Sequence, residues 1–306
     1  MTSHPFKSLP ARGKEPRSKR HLDDWVAQAA DETGMAVRRL GWIVASSIVV
    51  AALQRALHDD GHPVFLLKGG AYLEVRLGLT TRATKDVDTL FRGDFDKFID
   101  SLDEALHEPW GALELQRTEI EVIERARRVV KPRRFKIKLL INGQTWRSID
   151  VEVSPDEGGA GAGFDLVKAP PLDYFGLPSP GELAGIALDY QIAQKIHACT
   201  DPHQPPGQVN DRARDVVDVL LLKETFYGGD EDLTALRAAC ADVFEARAAD
   251  ARALELEERR WPPIVEAHDH WRTDFEVAAG EIGIESTLDA AVVEVNTWIE
   301  SIDGAT

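Results

Sequence analysis

The dipeptide Asn142-Gly143 stands between two segments of alternating apolar and polar residues, and it constrains the fold more than any other feature. Apolar side chains recur at every second position over 135–139 before it and over 149–153 after it. A period of two is typical of half-buried strands, and Asn-Gly favours the positive φ angles of a two-residue turn. Residues 112–153 are therefore predicted to be β structure that contains an antiparallel hairpin.

Short apolar segments and helical patterns surround this hairpin. Residues 64–67 are an apolar run of strand length, residues 87–91 are predicted to be a second strand, and each is followed by a helical pattern. Beyond the Gly-rich stretch 158–163 the pattern is helical, beginning at Ser179-Pro180-Gly181-Glu182, which resembles a capped helix start. Helices are predicted at 22–30, 37–58, 71–77, 95–106, 182–199, 210–226, 231–248 and 286–300.

These patterns predict three regions along the chain. Residues 1–20 are rich in basic residues, Pro and Ser, and they are predicted to be a disordered basic tail. Residues 21–160 combine strands with helices, whereas residues 161–306 are helical. The fold class is therefore predicted to be α+β, with a mixed sheet followed by a helical C-terminal domain.

Composition favours a cytoplasmic protein that does not cross a membrane. The longest apolar run, 43–53, contains two serines and is too short to span a bilayer, so it suits a buried helix. No apolar segment of a signal peptide follows the basic residues near the N-terminus. Cys199 and Cys240 are the only cysteines, too few for a zinc site or a disulfide framework.

Charge is distributed unevenly along the chain. The net charge is −16, but from residue 230 onwards 19 acidic residues stand against 6 basic ones, so the rest is nearly balanced. Residues 125–138 form a dense basic cluster, and a local cluster of this kind governs binding to a phosphate backbone. On charge alone, a solvated hairpin explains the cluster equally well. The candidate RNA-binding residues in it are Arg128, Lys131, Arg133, Arg134 and Lys136.

Two aspartates lie two residues apart at the start of the second predicted strand. On a strand, Asp86 and Asp88 point to the same face, because the side-chain period is two. Two carboxylates on one face offer the hard oxygen ligands that Mg²⁺ prefers. A third carboxylate on a neighbouring strand would complete a two-metal site for phosphoryl transfer, and either Asp150 or Glu152 could supply it. Asp-x-Asp alone more often marks a solvated strand edge.

A pair of glycines follows the first predicted strand directly. Gly69 and Gly70 leave the backbone bare at a helix start, where N–H groups can bind phosphate oxygens. Gly-Gly after a strand is, by itself, typical of an ordinary turn. The order of strand, Gly-Gly, helix and Asp-x-Asp strand favours a site for a nucleotide and a metal.

Two blocks of the sequence resemble the AbiEii/MenT nucleotidyltransferase-like toxins. Both blocks match the family motifs in order and spacing, and the resemblance covers roughly residues 62–225. Two departures are that the family often has an acidic or polar residue where Lys85 stands, and that the Gly-to-Asp spacing is slightly long. The first block is Leu67-Lys68-Gly69-Gly70 with Arg82-Ala83-Thr84-Lys85-Asp86-Val87-Asp88, and the second is Gln191-Ile192-Ala193-Gln194-Lys195-Ile196-His197-Ala198 with Arg212-Ala213-Arg214-Asp215-Val216-Val217-Asp218-Val219.

The resemblance implies a polymerase-β-like nucleotidyltransferase core whose active site is completed by the helical domain. It also implies that Lys195 and Asp215 belong to that site. A lysine on an apolar helix face can contact triphosphate oxygens, and the alternative is a structural ion pair between packed helices. The implied catalytic residues are Asp86, Asp88, Asp150, Lys195 and Asp215, and the implied nucleotide-binding residues are Lys68, Gly69, Gly70, Arg82, Thr84 and Lys195.

Thr84 is also a predicted point of regulation. It lies two residues before Asp86, so its hydroxyl is expected to face the metal pocket if the strand extends that far. The alternative is that the hydroxyl only hydrogen-bonds the turn. A phosphate on Thr84 would add a charge of about −1.5 to −2 beside two carboxylates and would repel the triphosphate.

The predicted function is transfer of a nucleotide from a nucleoside triphosphate to an acceptor, with two Mg²⁺ ions and release of pyrophosphate. The resemblance further implies an RNA acceptor, specifically the 3′ end of tRNA, with inhibition of translation and a cognate antitoxin as partner. Two alternatives remain open. One is a nucleotidyltransferase that modifies a protein or a small molecule, and the other is a non-catalytic module that senses nucleotide.

Overall fold

The structure, a computed structural model, describes Phe6, residues 9–78 and residues 84–306. Within these residues the chain forms two units, and each unit is assembled from separate stretches of sequence. The first unit takes the chain up to Ala126, together with Val130–Asp156 and Phe164–Ile186. The second takes Arg127–Val129, Glu157–Gly163 and Ala187–Thr306.

The first unit contains a mixed sheet, which in the described residues has eight strands. They are β1 (Phe65–Lys68), β2 (Asp86–Phe91), β3 (Glu114–Arg117), β4 (Glu121–Val122), β5 (Arg133–Ile141), β6 (Gln144–Pro155), β7 (Phe164–Lys168) and β8 (Glu182–Ile186). Their order is β3-β5-β6-β2-β1-β8-β7, and β4 pairs with β5. The pairs β2–β6 and β1–β8 are parallel and the others are antiparallel, which confirms the predicted α+β class with a mixed sheet.

The predicted hairpin is β5 and β6, joined by Asn142 and Gly143. Both turn residues have positive φ, 49° and 74°. Positive φ at both central positions gives the turn a twist that matches the twist of the flanking strands. Strand β6 is longer than β5. Its first part pairs with β5, and its second half also pairs with β2.

Four helices belong to the first unit: α1 (Lys19–Thr33), α2 (Val37–Leu53), α3 (Gly69–Leu77) and α4 (Phe98–His107). Most residues of α2 are buried, and the helix packs on β6. Directly after it, the Gln54 amide donates to the carbonyls of Phe65 and Ala184 and accepts from the Ala184 N–H. One side chain thus ties the end of α2 to β1 and β8.

Among the described residues, no single helix has the length and apolar character needed to cross a membrane. Helices α1 and α2 reach that length only when they are taken together, and they are bent by 115° to each other.

The second unit is helical, as predicted. Its helices are α5 (Leu188–Cys199), α6 (Ala213–Phe226), α7 (Thr234–Ala253), α8 (Arg272–Ile282) and α9 (Leu288–Asp303). Buried aromatic residues from three parts of this unit, Phe244, Trp271 and Phe275, fill its core.

Two strands differ from the sequence-based expectation. The segment predicted to begin a helix at 182 is strand β8, and β7 was not predicted. The residues 183–186 are buried, and Gly185 pairs with Leu67 of β1. A side chain at Gly185 would overlap the Tyr72 ring, so the close packing of α3 requires glycine. A short apolar run does not by itself separate a strand from a helix, and the sheet partner decides here.

The two strands also move the boundary between the units. The predicted boundary was near residue 160, but the chain enters the second unit at Glu157, returns at Phe164 to form β7 and β8, and leaves at Ala187. The Gly-rich stretch is held by Asp242, which accepts from the Gly159 N–H. It is therefore an anchored turn of the second unit.

The described part of the predicted disordered tail is packed. Phe6 is buried against Phe175, and Arg12 donates to the Tyr174 carbonyl and stacks on the Trp25 ring. Ser18 caps α1 by accepting from the His21 N–H. An arginine that stacks on aromatic rings buries apolar surface even in a polar segment. A prediction of disorder from composition does not take such contacts into account.

Candidate active site

Asp86 and Asp88 lie on one face of β2. Both are half-buried, whereas Val87 and Thr89, which point to the opposite face, are buried. The apolar face packs in the core and thereby fixes the strand, and the carboxylates are left on the face that solvent reaches. The Asp-x-Asp spacing thus places two carboxylates side by side on a rigid element.

Both candidates for the third carboxylate lie beside these aspartates on β6. Asp86 pairs with Asp150, and Asp88 pairs with Glu152, in parallel register. Directly paired residues of neighbouring strands carry their side chains on the same face, about 5 Å apart. The four acidic side chains therefore form a two-by-two group on one face of the sheet.

Cations of β5 and β1 flank this acidic group. Lys136 pairs with Asp150 across β5 and β6, and its Nζ lies 2.7 Å from Asp150 Oδ1. Arg134 pairs with Glu152, and its Nε donates to Glu152 Oε1 at 2.8 Å. On the other side, Lys68 of β1 is the register partner of Asp88.

Two rows of charge cross the sheet as a result. One row runs Lys136, Asp150, Asp86 and carries one excess negative charge, since two carboxylates share one ammonium. The second row consists of two cations and two carboxylates, so its net charge is zero. Its members are Arg134, Glu152, Asp88 and Lys68. The hydrogen bond to Glu152 raises the pKa of Arg134, and the charges of Asp150 and Asp86 raise it further. The excess negative charge is concentrated at Asp86 and Asp150.

The glycine pair lies against the acidic group. Gly69 has φ of +67°, and a side chain on it would overlap the Asp88 carboxylate. A Cβ on Gly70 would lie 2.9 Å from Thr84 Oγ1. Helix α3 begins at Gly69 without a side-chain cap, so its positive N-terminal end lies beside the carboxylates.

Thr84 faces Asp86. Its hydroxyl lies 3.2 Å from Asp86 Oδ1, so it donates to that carboxylate although it precedes the first residue of β2. Trp42 Nε1 donates to the carbonyl of the next residue, Lys85, at 3.3 Å and holds the segment in place. Arg82, the remaining residue of the predicted nucleotide-binding set, lies outside the described residues.

In the second unit, Lys195 is buried between two aspartates. Its Nζ lies 3.1 Å from Asp215 Oδ1 and 2.6 Å from Asp218 Oδ2. Asp218 is more deeply buried than the lysine, and the sequence-based set of candidates does not contain it. The signal for it was its spacing, since Asp215 and Asp218 are three residues apart and share one face of α6.

The residues of the predicted RNA-binding cluster have different surroundings. Arg128 is buried, and it pairs with Glu157 at 2.6 Å and with Asp250. Its charge is thus neutralised inside the second unit, and Arg128 is not available to an RNA phosphate. The Lys131 ammonium donates to the Ala126 carbonyl at 2.6 Å.

The other members of the cluster belong to β5. Arg133 is half-buried, donates to the Lys131 carbonyl and stacks on Phe95. Arg134 and Lys136 have exposed side chains and lie next to the acidic group. The cationic surface that remains for an anionic acceptor is therefore a strip along one strand.

The donor set of the acidic group fits a divalent cation. Asp86, Asp88 and Asp150 offer carboxylate oxygens on adjacent strands, which is the ligand chemistry of Mg²⁺. In the described part of the chain, no three His, Cys, Asp or Glu side chains are yet arranged around one point as metal ligands. The Asp150 carboxylate is directed at Lys136.

Comparisons with known proteins identify the family of the chain. Residues 51–295 match the family model described as nucleotidyl transferase AbiEii toxin, type IV TA system. Comparison with curated proteins gives no match. Among solved structures, MenT4, a nucleotidyltransferase toxin from Mycobacterium tuberculosis, is similar with a TM-score of 0.47 and 15% identity, over 93% of this chain and 97% of that chain. The family model covers most of the chain, including the acidic group and the Lys195 cluster, and the chain therefore belongs to the AbiEii nucleotidyl transferase toxin family.

Proposed function

We propose that this nucleotidyltransferase transfers a nucleotide from a nucleoside triphosphate to RNA, at the 3′ end of tRNA, and so stops translation. The observation that carries the proposal is the parallel register of β2 and β6, which sets Asp150 beside Asp86, with Asp88 on the same face. Three carboxylates on two adjacent strands are a site for metal-assisted phosphoryl transfer. The basic strip of β5 next to them suits an acceptor with a phosphate backbone.

Asp150, not Glu152, is the proposed third metal ligand. Glu152 is hydrogen-bonded by the Arg134 guanidinium, which binds carboxylates strongly through its fixed fork of donors. Among the described residues, the ion-pair partner of Asp150 is the flexible Lys136 ammonium, and Asp150 adjoins Asp86, where the negative charge is in excess. A cation entering this face is attracted most strongly to that pair.

Residues of this chain have distinct parts in the proposed reaction. Asp86, Asp88 and Asp150 hold two Mg²⁺ ions, which supply charge stabilisation at the phosphorus when they are bound. Gly69 and Gly70 bring the positive end of α3 to the triphosphate oxygens, because a side chain at either position would fill that space. Lys68, the register partner of Asp88, is the proposed cation at the same oxygens.

Lys195 is proposed to contact the triphosphate, with Asp215 and Asp218 as the residues that position it. The support for this role is its position between two carboxylates, which holds the ammonium in one orientation. A fixed point charge is what a phosphate-binding lysine needs. The alternative is a purely structural ion pair between α5 and α6.

The proposed setting is the cytoplasm, with a cognate antitoxin as partner. A toxin that acts on tRNA must reach the cytoplasmic pool of tRNA, and a type IV system supplies an antitoxin that counters the toxin. Both cysteines, Cys199 and Cys240, are free and buried, as is usual for a protein of a reducing compartment.

The proposal is tested by incubating the full chain with each α-labelled nucleoside triphosphate, Mg²⁺ and total RNA. In a parallel reaction, lysate protein replaces the RNA. We expect label in RNA of tRNA size with one nucleotide, and none with Asp86→Asn. Label in protein alone would show that the acceptor is wrong, and label in neither would contradict the proposed activity.

A further inference from the structure

Lys136 and Asp150 form an ion pair at the edge of the proposed metal site. The two residues lie directly opposite each other on β5 and β6, and Lys136 Nζ is 2.7 Å from Asp150 Oδ1. Asp150 in turn is the register partner of Asp86. One carboxylate of the proposed metal-binding set is therefore bound to a cation that the chain itself provides.

Electrostatics explain why a cation is needed there. Asp86 and Asp150 lie about 5 Å apart on paired strands, and two such carboxylates repel each other. The Lys136 ammonium neutralises one of them. Its side chain is 54% exposed and that of Asp150 is 43% exposed, so solvent screens the pair and other ions can compete with it.

The neighbouring pair provides a contrast. Arg134 holds Glu152 through two nitrogens of a rigid guanidinium, and the Glu152 side chain is only 28% exposed. Breaking that pair costs more than breaking the contact of a single flexible ammonium. Of the two acids on β6, Asp150 is thus the one that can change its partner.

We propose that Lys136 is the internal counter-ion of the metal site: it holds the Asp150 carboxylate until a divalent cation binds, and metal binding displaces it. This inference rests on the proposed function, because it takes Asp86 and Asp150 as metal ligands. Lys136 is a positioning residue, and it competes with the metal. Once the metal has displaced it, the Lys136 ammonium lies on the basic strip of β5 beside the metal, where it can bind a phosphate of the acceptor.

The chain offers a matched control for this idea. Lys138 lies two residues along the same strand, on the same face, and is exposed like Lys136. Its register partner is Ser148, which has no charge. Lys138→Gln removes the same charge from the same strip without touching an acidic partner, so a difference between the two variants isolates the contact with Asp150.

The first test measures Mn²⁺ binding to the metal-stripped full chain by electron paramagnetic resonance of the free ion. We expect Lys136→Gln to bind Mn²⁺ about two- to five-fold more tightly than wild type, the range given by an exposed ion pair, and Lys138→Gln to match wild type. Unchanged or weaker binding in Lys136→Gln would overturn the inference and leave the proposed function standing. If Asp86→Asn binds Mn²⁺ as wild type does, both fail.

The second test follows the lysines themselves in the wild-type chain. An amine-reactive ester is applied with and without Mn²⁺, and the modification of each lysine is read by mass spectrometry. We expect Mn²⁺ to increase the labelling of Lys136 by about two-fold or more, since the ammonium leaves its carboxylate, and to leave Lys138 unchanged. Equal labelling of Lys136 in both conditions would contradict displacement.

Discussion

The Asp88 carboxylate lies against the Cα of Gly69, in the space that a side chain at residue 69 would occupy. Gly69 also has a φ of +67°, a conformation that other residues adopt only with strain. Both facts make glycine necessary at this position. The start of α3 and the second aspartate of β2 are consequently held in contact.

Gly69→Ala is expected to abolish nucleotide transfer by pushing Asp88 out of place. Gly61→Ala is the control, because Gly61 has a φ of +77° and a Cβ added to it would meet no atom within 4 Å, so only the backbone strain is tested. We expect Gly61→Ala to lose about 1–2 kcal/mol of unfolding free energy in urea and to keep full transfer. Equal transfer by the two variants would mean that the contact with Asp88 does not matter.

Asp86→Asn is expected to lower transfer by about 10²-fold or more, because it removes charge stabilisation directed at the transition state. Stability should not fall, since the substitution relieves repulsion with Asp150. Asp100→Asn, at an exposed position of α4, is the control for loss of one negative charge. The assignment of the metal site fails if Asp86→Asn retains more than a tenth of wild-type turnover.

Lys195→Met is expected to lower the unfolding free energy by about 3–5 kcal/mol, because it takes the ammonium away from the buried Asp218 carboxylate and from the half-buried Asp215 carboxylate. The double variant Lys195→Met with Asp218→Asn removes one of the two charges and should recover part of that loss. Transfer should stay absent in the double variant if Lys195 contacts the triphosphate. Recovery of transfer together with stability would show that the lysine is structural.

Thr84→Glu is expected to inhibit transfer, because a third negative charge would stand next to Asp86, where the Thr84 hydroxyl now donates a hydrogen bond. Thr84→Val should keep the fold and much of the activity. Thr84→Glu imitates phosphorylation by a partner such as a kinase-like antitoxin, and Thr84→Val removes the hydroxyl without adding charge. Wild-type activity in Thr84→Glu would exclude the switch, and an inactive Thr84→Val would make the hydroxyl itself part of the site.

Glu74 should make stability depend on pH. Burial raises its pKa from 4.5 to about 7, although the ion pair with Arg39 opposes the shift. Between about pH 4.5 and pH 7, Glu74 is therefore protonated in the folded protein and ionised in the unfolded chain. Because the folded state binds the extra proton, the free energy of unfolding falls as pH rises through this range.

The measurement compares wild type with Glu74→Gln by urea unfolding between pH 5 and pH 8. The stability of the variant relative to wild type should increase with pH, by a total on the order of 3 kcal/mol. His197, whose pKa burial holds well below its usual range, has the opposite dependence, but it is common to both proteins and cancels. A constant difference across this range would contradict the raised pKa of Glu74.

The sequence correctly predicted those elements whose turn residues and apolar pattern agree with the way in which they pack in the fold. Asn142-Gly143 marked the hairpin, and the alternation after it gave the face on which Asp150 lies. The pairing of Asp150 with Asp86 could not be predicted, because the register between distant strands depends on the whole sheet.

Other features depended on tertiary partners and were therefore missed. Arg128 stands in a run of basic residues, and only the fold brings Glu157 and Asp250 to it. The segment 182–186 is a strand because β1 and β7 flank it. The polar start of the chain is ordered where Arg12 meets aromatic rings. In each case the deciding contact comes from residues remote in the sequence.

The position of β8 in the sheet has a consequence for synthesis of the toxin on the ribosome. Strand β1 acquires its partner β2 soon after it is made, but β8, its other neighbour, follows about 115 residues later. At about 5–20 residues per second, the edge of β1 stays open for on the order of 10 s in each nascent chain. The sheet that carries the acidic group is therefore completed about 115 residues after β1, and a nascent toxin chain lacks the complete sheet throughout that interval.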